Sequence, residues 1–209
     1  ASDSHPKPIM FMLHKDTPGL TIDSDAWRPT GMRACISPWL YLKDCFVPEE
    51  NLLGRPGQFL DDNWMGKINF AFTANYLGSA RAMYDWAIGY IRERGGARDS
   101  YRQLRFGELK SMLDAARLVL YTAVRMLKRE PSQAMIAAHE AKWMAKEMLE
   151  KMMWSSAEIC GSTALFVKHP LERFYRDMHV HMMHGRHDIA AQIVGAAELG
   201  EEYDTNRNH

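Results

Sequence analysis

Residues 68–96 read INFAFTANYLGSARAMYDWAIGYIRERGG and combine a repeating apolar pattern with a stop signal. Apolar side chains recur there at intervals of three to five residues, at Ile68, Phe72, Leu77, Ala80, Tyr84 and Ala87. This spacing keeps them on one face of an α-helix. The Gly95-Gly96 pair that follows is typical of a helix end. The stretch therefore predicts a long amphipathic helix with one buried face.

Two further runs have the same helical period. One covers residues 104–127 and ends before Pro131, and the other covers residues 135–152 and ends at Gly161. Helices of this length need packing against one another or against a partner subunit to be stable. Together with shorter helices near Leu171 and over residues 188–202, these runs predict a mainly α protein built on an up-and-down four-helix bundle.

The third run also carries methionines on one face, at Met144, Met148 and Met152. Methionine is a flexible filler of apolar interiors. We expect these side chains to occupy the core or an interface, and not to contact a cofactor.

The first 55 residues have a different pattern, with short apolar pieces broken by Gly and Pro. The pieces over residues 9–13 and 39–47 are typical of strands. We therefore expect a few β-strands in residues 1–55, the helical bundle in residues 56–203, and a frayed tail over residues 204–209.

Composition excludes several classes of function. Lys and Arg together number 26 and so do Asp and Glu, so the positive field that nucleic acid or anionic lipid attracts is missing. The sequence also lacks an apolar run long enough to span a membrane. Cys35, Cys45 and Cys160 form no paired motif, which favours a reduced, cytoplasmic setting over a disulfide framework or a zinc site.

Residues 170–188 read PLERFYRDMHVHMMHGRHD and concentrate histidines, at His179, His181, His184 and His187. Imidazole changes charge near physiological pH, so the cluster suits proton chemistry. It equally suits a polar subunit interface or a helix cap. Three of the histidines have the spacing of one helix face, but they lack a further ligand that would complete a metal site, and we predict no bound metal.

Several motifs resemble one family when they are taken in order. They are KDTPGL (15–20), FVPEENLLG (46–54), YLGSARAMYDWAIGYIRER (76–94), LDAARLVLYTA (113–123), EICG (158–161) and HPLERFYRD (169–177). The chain thereby resembles the C-terminal half of the acyl-CoA dehydrogenase superfamily, namely the end of its middle β domain (residues 1–55) and its C-terminal helical domain (56–203). The N-terminal half of that family has no counterpart here, so the chain is either a fragment or is completed by a partner chain.

The resemblance implies a bound FAD and a homodimer or homotetramer. In the family an arginine after the first long helix reaches the pyrophosphate of a neighbouring subunit's FAD, and Arg94 matches it, with Gln103 in the following loop. Glu158 and Gly161 match the family's Gln-x-x-Gly-Gly element against the same cofactor. The plainer alternatives are a solvated cation at a helix end for Arg94 and a helix C-cap for Gly161.

The resemblance further implies α,β-dehydrogenation of an acyl-CoA thioester, with hydride transfer to FAD and a role in fatty acid metabolism. The family's usual base is a glutamate, and His184 occupies its place, while a second family position for the base holds Ile68. We expect His184 to act as the base, with His187 and Asp188 orienting it. A flavin-dependent monooxygenase of the same superfamily and a non-catalytic chain that completes another subunit's flavin site remain alternatives. The substrate cannot be read from these residues.

Overall fold

The computed structural model describes residues 7–207, and most of them are helical. The helices are Gln58–Asp61 (α1), Trp64–Glu93 (α2), Ser100–Met126 (α3), Pro131–Cys160 (α4), Pro170–Met183 (α5) and His187–Leu199 (α6). Short 3₁₀ turns cover Glu49–Asn51, Gly96–Arg98 and Ser162–Leu165. The predicted mainly α class is confirmed. Residues 1–6 and 208–209, the outer ends of the predicted strand region and tail, lie outside the described residues.

Helix α4 is the centre of the bundle. It has its most extensive contacts with α2 and α3, and smaller ones with α6 and α5. Several alanines of α2, α3 and α4 are fully buried, namely Ala80, Ala87, Ala116, Ala123, Ala138, Ala141 and Ala145. Alanine takes up little space between neighbouring helices, and larger buried side chains such as Met83 and Leu149 fill the rest of the core.

The methionine face of α4 divides between interior and surface. Met148 is 1% exposed and Met152 is 0% exposed, whereas Met144 is 36% exposed. Two of the three therefore fill the core, and the third lies at its edge.

The helix ends follow local sequence signals. Asn63 and Asp99 cap α2 and α3, each accepting a hydrogen bond from a backbone N–H of the first turn. Pro131 and Pro170 start α4 and α5 at a position where a missing N–H is harmless. None of the described helices is both long and apolar enough to cross a bilayer.

The strands form two small antiparallel sheets. Met10–Phe11 (β1) pairs with Leu52–Leu53 (β4), and Leu20–Asp23 (β2) pairs with Trp39–Leu42 (β3). The strand expected over residues 39–47 was too long, because pairing ends at Leu42. Asp44 adopts a left-handed φ of 54° there, which turns the chain away from the sheet.

The Arg-Asp pair of α5 attaches the strand-rich region to the bundle. The backbone N–H of Met32 donates to Oδ1 of Asp177 at 2.6 Å, and Arg176 donates to the carbonyl of Thr30 at 3.3 Å. A Cβ at Gly31 would lie 2.0 Å from the carbonyl oxygen of Arg176, so only glycine allows this approach. Residues 30–32 are thus fixed against α5.

The C-terminal residues are fixed in place at two positions. The side chain of Asn63 donates to Oγ1 of Thr205 at 2.5 Å, and that of Asn206 donates to the carbonyl of Leu60 at 2.9 Å. The carbonyl of Thr205 also lies 3.1 Å from Nε2 of His139 on α4. The expectation of a frayed tail was therefore wrong for residues 205–206, which connect α1, α2 and α4.

Candidate active site

The His-rich segment forms the end of one helix, a turn and the start of the next. His184 is the C-cap of α5, and His187 is the first residue of α6. Between them Arg186 adopts a left-handed φ of 35°, which reverses the chain direction. As a result His187 is buried at 8% exposure, while His184 is exposed.

Gly185 allows this turn to lie against the bundle. A Cβ at this position would be 2.4 Å from Cε1 of His187 and 3.0 Å from the hydroxyl oxygen of Tyr76. Contacts that short are not tolerated, so the missing side chain of Gly185 leaves room for the two rings.

His187 forms a hydrogen bond with Tyr76 of α2 inside the bundle. The hydroxyl oxygen of Tyr76 lies 3.1 Å from Nε2 of His187, and the tyrosine is fully buried. Burial raises the pKa of Tyr76 to about 12, so its phenol keeps the proton at neutral pH. Burial, and then the charge of Lys142, lower the pKa of His187 to about 4. We assign Tyr76 as the donor and a neutral His187 as the acceptor.

Lys142 of α4 lies beside this pair. It is 3% exposed, and within residues 7–207 its ammonium makes no hydrogen bond or ion pair. Its nearest aromatic contact is the Phe72 ring, whose centroid lies 5.7 Å from Nζ. Burial lowers the pKa of Lys142 to about 8. The low pKa reflects partial loss of water around the ammonium, which gains no hydrogen bond from residues 7–207 in exchange.

His181 of α5 completes the cluster. Its ring lies 5.5 Å from the ring of Phe72 and 5.1 Å from that of Tyr76, between centroids. Both ring nitrogens are buried, and neither has a hydrogen-bond partner among the described residues. Burial, followed by the charge of His184, lowers the pKa of His181.

The structure brings the three predicted catalytic residues near one another without joining them. His187 pairs with Tyr76, and Asp188 binds Arg186 through both carboxylate oxygens at 3.2 and 3.0 Å. No described hydrogen bond links either of them to the imidazole of His184. The role of His184 as base therefore stays a prediction, and the expected orienting contacts are absent from the described part of the chain.

The predicted cofactor residues lie around the carboxyl end of α2. The guanidinium of Arg94 stacks on the ring of Tyr90, 3.6 Å from its centroid. Both line an open cavity of 280 Å³ together with Trp86 and His169. The amide of Gln103 donates to the carbonyl of Ala97 at 3.0 Å and lines a second cavity of 280 Å³.

Glu158 and Gly161 lie at the end of α4. Glu158 comes within 4.0 Å of Arg105, in a partly exposed ion pair. Gly161 is the C-cap of α4 with φ 80°, and a Cβ there would meet nothing within 4 Å. Its positive φ accounts for glycine by itself, as the plainer alternative supposed.

These residues are compatible with a dinucleotide. A guanidinium preorganised by stacking suits a phosphate, and the carboxylate of Glu158 has Arg105 to offset its charge. Within residues 7–207, no three His, Cys, Asp or Glu side chains lie close enough together to hold a metal ion.

The family model for the acyl-CoA dehydrogenase C-terminal domain matches residues 70–189, which include most of α2, all of α3 to α5 and the His-rich turn. The chain belongs to the acyl-CoA dehydrogenase family. Among curated family members, rat mitochondrial short-chain specific acyl-CoA dehydrogenase is 30% identical over 205 residues, covering 92% of this chain and 48% of the relative. A probable acyl-CoA dehydrogenase of Mycobacterium tuberculosis is 25% identical over 198 residues, covering 90% and 50%. The chain spans about half the length of the curated relatives it matches.

Solved structures of acyl-CoA dehydrogenases and of monooxygenases share the fold. Dibenzothiophene monooxygenase from Paenibacillus sp. A11-2 superposes with a TM-score of 0.84 at 23% identity, covering 96% of this chain and 58% of that one. A glutaryl-coenzyme A dehydrogenase gives a TM-score of 0.80 at 25% identity, covering 96% and 53%. The likeness to the monooxygenase concerns the fold alone.

Sequence reasoning missed Tyr76 and Lys142 as members of the site. A tyrosine on an apolar helix face gives no sign of a partner 111 residues away. Lys142 did carry a signal, because it lies between the buried alanines Ala138, Ala141 and Ala145. A lysine on such a face is rarely buried without a specific reason.

Proposed function

We propose that this chain is part of an FAD-dependent oxidoreductase that dehydrogenates an acyl-CoA thioester between its α and β carbons. The observation that carries the proposal is the exposed imidazole of His184, in the turn where the family usually has a glutamate. The curated relatives, named as acyl-CoA dehydrogenases, support the reaction class.

In this proposal Arg94, Gln103 and Gly161 hold the dinucleotide, and Glu158 contributes through a ribose hydroxyl or stays paired with Arg105. FAD, when bound, accepts the hydride that leaves the β carbon. His184 takes the proton from the α carbon, a step that a positioned imidazole can perform as a general base. His187 and Tyr76 support the turn from below, since both lie against Gly185.

The test is anaerobic bleaching of the flavin by a panel of acyl-CoA thioesters, measured on the whole protein that contains this chain. His184→Gln should slow bleaching by about 10²-fold or more, as expected for loss of a general base. His184→Glu should retain bleaching, since it restores the family's carboxylate. His179→Gln is the matched control, because His179 is exposed on the same helix. Equal rates for His184→Gln and the unaltered protein would remove His184 from the mechanism.

A second candidate is a flavin-dependent monooxygenase of the same superfamily. The observation that favours it concerns residues 183–188, where the dehydrogenases usually have a catalytic glutamate. The one carboxylate there, that of Asp188, is bound to Arg186. Product that forms only with reduced flavin and oxygen, without bleaching by any acyl-CoA, would establish this candidate over the first. Absence of flavin uptake in any assembly would instead favour a non-catalytic partner chain.

The same proposal includes a cytoplasmic location and a homodimer or homotetramer, or a complex with a chain that supplies the N-terminal half. FAD shared between subunits is the reason to expect an oligomer. Sedimentation of the flavin-loaded protein would measure its mass, and a monomer that retains flavin would contradict the shared site.

A further inference from the structure

The cavity beside Arg94 is bordered by three aromatic rings that contact one another. The ring centroids of Trp86 and Tyr90 lie 4.8 Å apart, and that of His169 lies 5.6 Å from the first and 5.4 Å from the second. The residues that line this cavity of 280 Å³ are Trp86, Gly89, Tyr90, Glu93, Arg94 and His169. Helix α2 therefore faces the residue before α5 across a pocket with aromatic walls.

Hydrogen bonds fix the two sides of this pocket. On one side, the hydroxyl oxygen of Tyr90 lies 3.0 Å from Oγ1 of Thr163, in the turn after α4, and the tyrosine is buried. On the other side, the backbone N–H of His169 donates to the carbonyl of Phe166 at 2.8 Å, which fixes the segment that carries the imidazole. Walls that are ordered beforehand lose little conformational entropy when a ligand binds.

Two charged groups border the pocket without neutralising each other. The guanidinium of Arg94 covers a face of the Tyr90 ring and makes no ion pair within the described part of the chain. The carboxylate of Glu93 has neither a hydrogen-bond nor an ion-pair partner among residues 7–207. Trp86 and His169 are half-buried, so both rings still present surface to the cavity.

A purine base attached to phosphate matches this arrangement. Nucleotide bases stack on the flat faces of aromatic side chains, including those of Trp and His. The exocyclic amine of adenine can donate to a carboxylate such as that of Glu93, and a guanidinium suits the phosphate oxygens. An aliphatic ligand would use neither charge.

We propose that Trp86 and His169, backed by Tyr90, stack on the adenine ring of an adenosine diphosphate group whose phosphates bind Arg94. FAD and coenzyme A both carry this group. The inference rests on the proposed function in naming these two molecules as its sources. It deepens that function by giving the base a pocket formed by residues other than Gln103, Glu158 and Gly161.

The first experiment compares ADP with inorganic pyrophosphate, which lacks a base, by calorimetric titration of the whole protein freed of any flavin. We expect ADP to bind about tenfold more tightly or better, because one stacked base contributes at least that factor. ADP should also quench tryptophan fluorescence. In Trp86→Phe a ring remains, so ADP should still bind, but the part of the quenching that comes from Trp86 should disappear.

Gly89→Leu tests the pocket itself. A Cβ at Gly89 would meet nothing within 4 Å, so a leucine takes up cavity space without displacing a neighbour, and leucine is favoured over glycine inside a helix. The variant should fold, which circular dichroism checks, and it should bind ADP about tenfold more weakly or worse because the base is excluded. Gly78→Leu is the matched control, since Gly78 is exposed on the same helix and has open space around its Cβ. It should keep ADP binding.

The same two variants distinguish the sources of the group when FAD and CoA are titrated in place of ADP. A larger loss of affinity for FAD than for CoA in Gly89→Leu would assign the pocket to the cofactor. The reverse would assign it to the substrate. No loss of affinity for either molecule would overturn the inference.

Three further results would also overturn it: pyrophosphate binding as tight as ADP binding, full quenching in Trp86→Phe, or ADP binding that Gly89→Leu leaves unchanged. None of them involves turnover. Binding of ADP that depends on Gly89, in a protein that takes up no flavin, would refute the proposed function and leave the pocket intact. Bleaching by acyl-CoA in a protein that fails these binding tests would refute the pocket alone.

Discussion

Tyr76 and His187 make one hydrogen bond between the first long helix and the last helix. Its contribution to stability can be tested by removing a single oxygen atom. Tyr76→Phe deletes only the hydroxyl group and leaves Nε2 of His187 buried without its donor. We expect the free energy of unfolding to fall by about 1–3 kcal/mol, measured by urea denaturation. Tyr121→Phe is the control, since Tyr121 is 51% exposed. Equal stability of the two variants would show that the bond contributes nothing.

His187 also predicts how stability depends on pH. Its pKa in the folded chain is about 4, against an ordinary 6.5, so between these values the unfolded chain binds the proton and the folded chain does not. Stability is therefore complete above pH 6.5 and falls as the pH drops toward 4, by up to about 3 kcal/mol for this residue. Burial lowers the pKa values of His139 and His181 as well, so they act in the same direction.

Urea denaturation at several pH values between 4 and 7 measures this dependence. His187→Gln should flatten the curve in that range, and Tyr121→Phe, which alters an exposed side chain, should leave it unchanged. A curve of unaltered slope in His187→Gln would show that His187 is not protected from protonation.

The sequence predicted the His-rich turn of the candidate site, but not the buried residues beneath it. The histidine spacing pointed to residues 179–188, and a repeating pattern cannot show which of them faces inward after the left-handed turn at Arg186. Tyr76 and Lys142 were missed for another reason, although the alanines around Lys142 gave a local sign of its burial. Their neighbours lie on other helices, and one sequence contains no information on contacts between distant segments.

Helix α5 holds the loop over residues 30–32, and this attachment gives a prediction at the level of elements. Asp177→Ala removes the acceptor of the Met32 N–H, so the loop should open more often. We expect the Met32 amide to exchange with solvent about tenfold faster or more, since one charged hydrogen bond is lost. Hydrogen exchange on a peptide covering residues 24–38 measures this.

Asp85→Ala is the control for that experiment, because Asp85 makes an exposed ion pair with Arg81. It should leave exchange at residues 24–38 unchanged. Slow exchange in Asp177→Ala would mean that Arg176 and Gly31 suffice to hold the loop.

The long helices were predictable because start and stop signals lie in their own sequence. The period of α2, the glycines after it and the prolines that start α4 and α5 are local signals. The strands were harder. Residues 45–47 are apolar like the paired residues 39–42, but pairing stops before Asp44, which turns left-handed. Aspartate is compatible with a strand end or a loop. The start of α2 at Trp64 also precedes its apolar pattern, since the Asn63 cap sets it.

At the scale of the whole molecule, the proposed flavin site gives Arg94 a role that reaches beyond this chain. If its guanidinium meets a pyrophosphate, Arg94→Gln should weaken FAD binding by about tenfold or more. Flavin retained after gel filtration of the whole protein, or fluorescence titration of the apoprotein, would measure the change. Arg117→Gln serves as control, because Arg117 lies on α3 in an exposed pair with Asp114. Equal flavin retention would return Arg94 to the plainer role of a helix-end cation.

The fully buried alanines limit how far this bundle can diverge. At positions such as Ala80, Ala116 and Ala141, which are 0% exposed, a larger side chain would overpack the core. A combinatorial library for altered specificity should therefore leave these alanines fixed and diversify exposed positions such as Ile68 and His184.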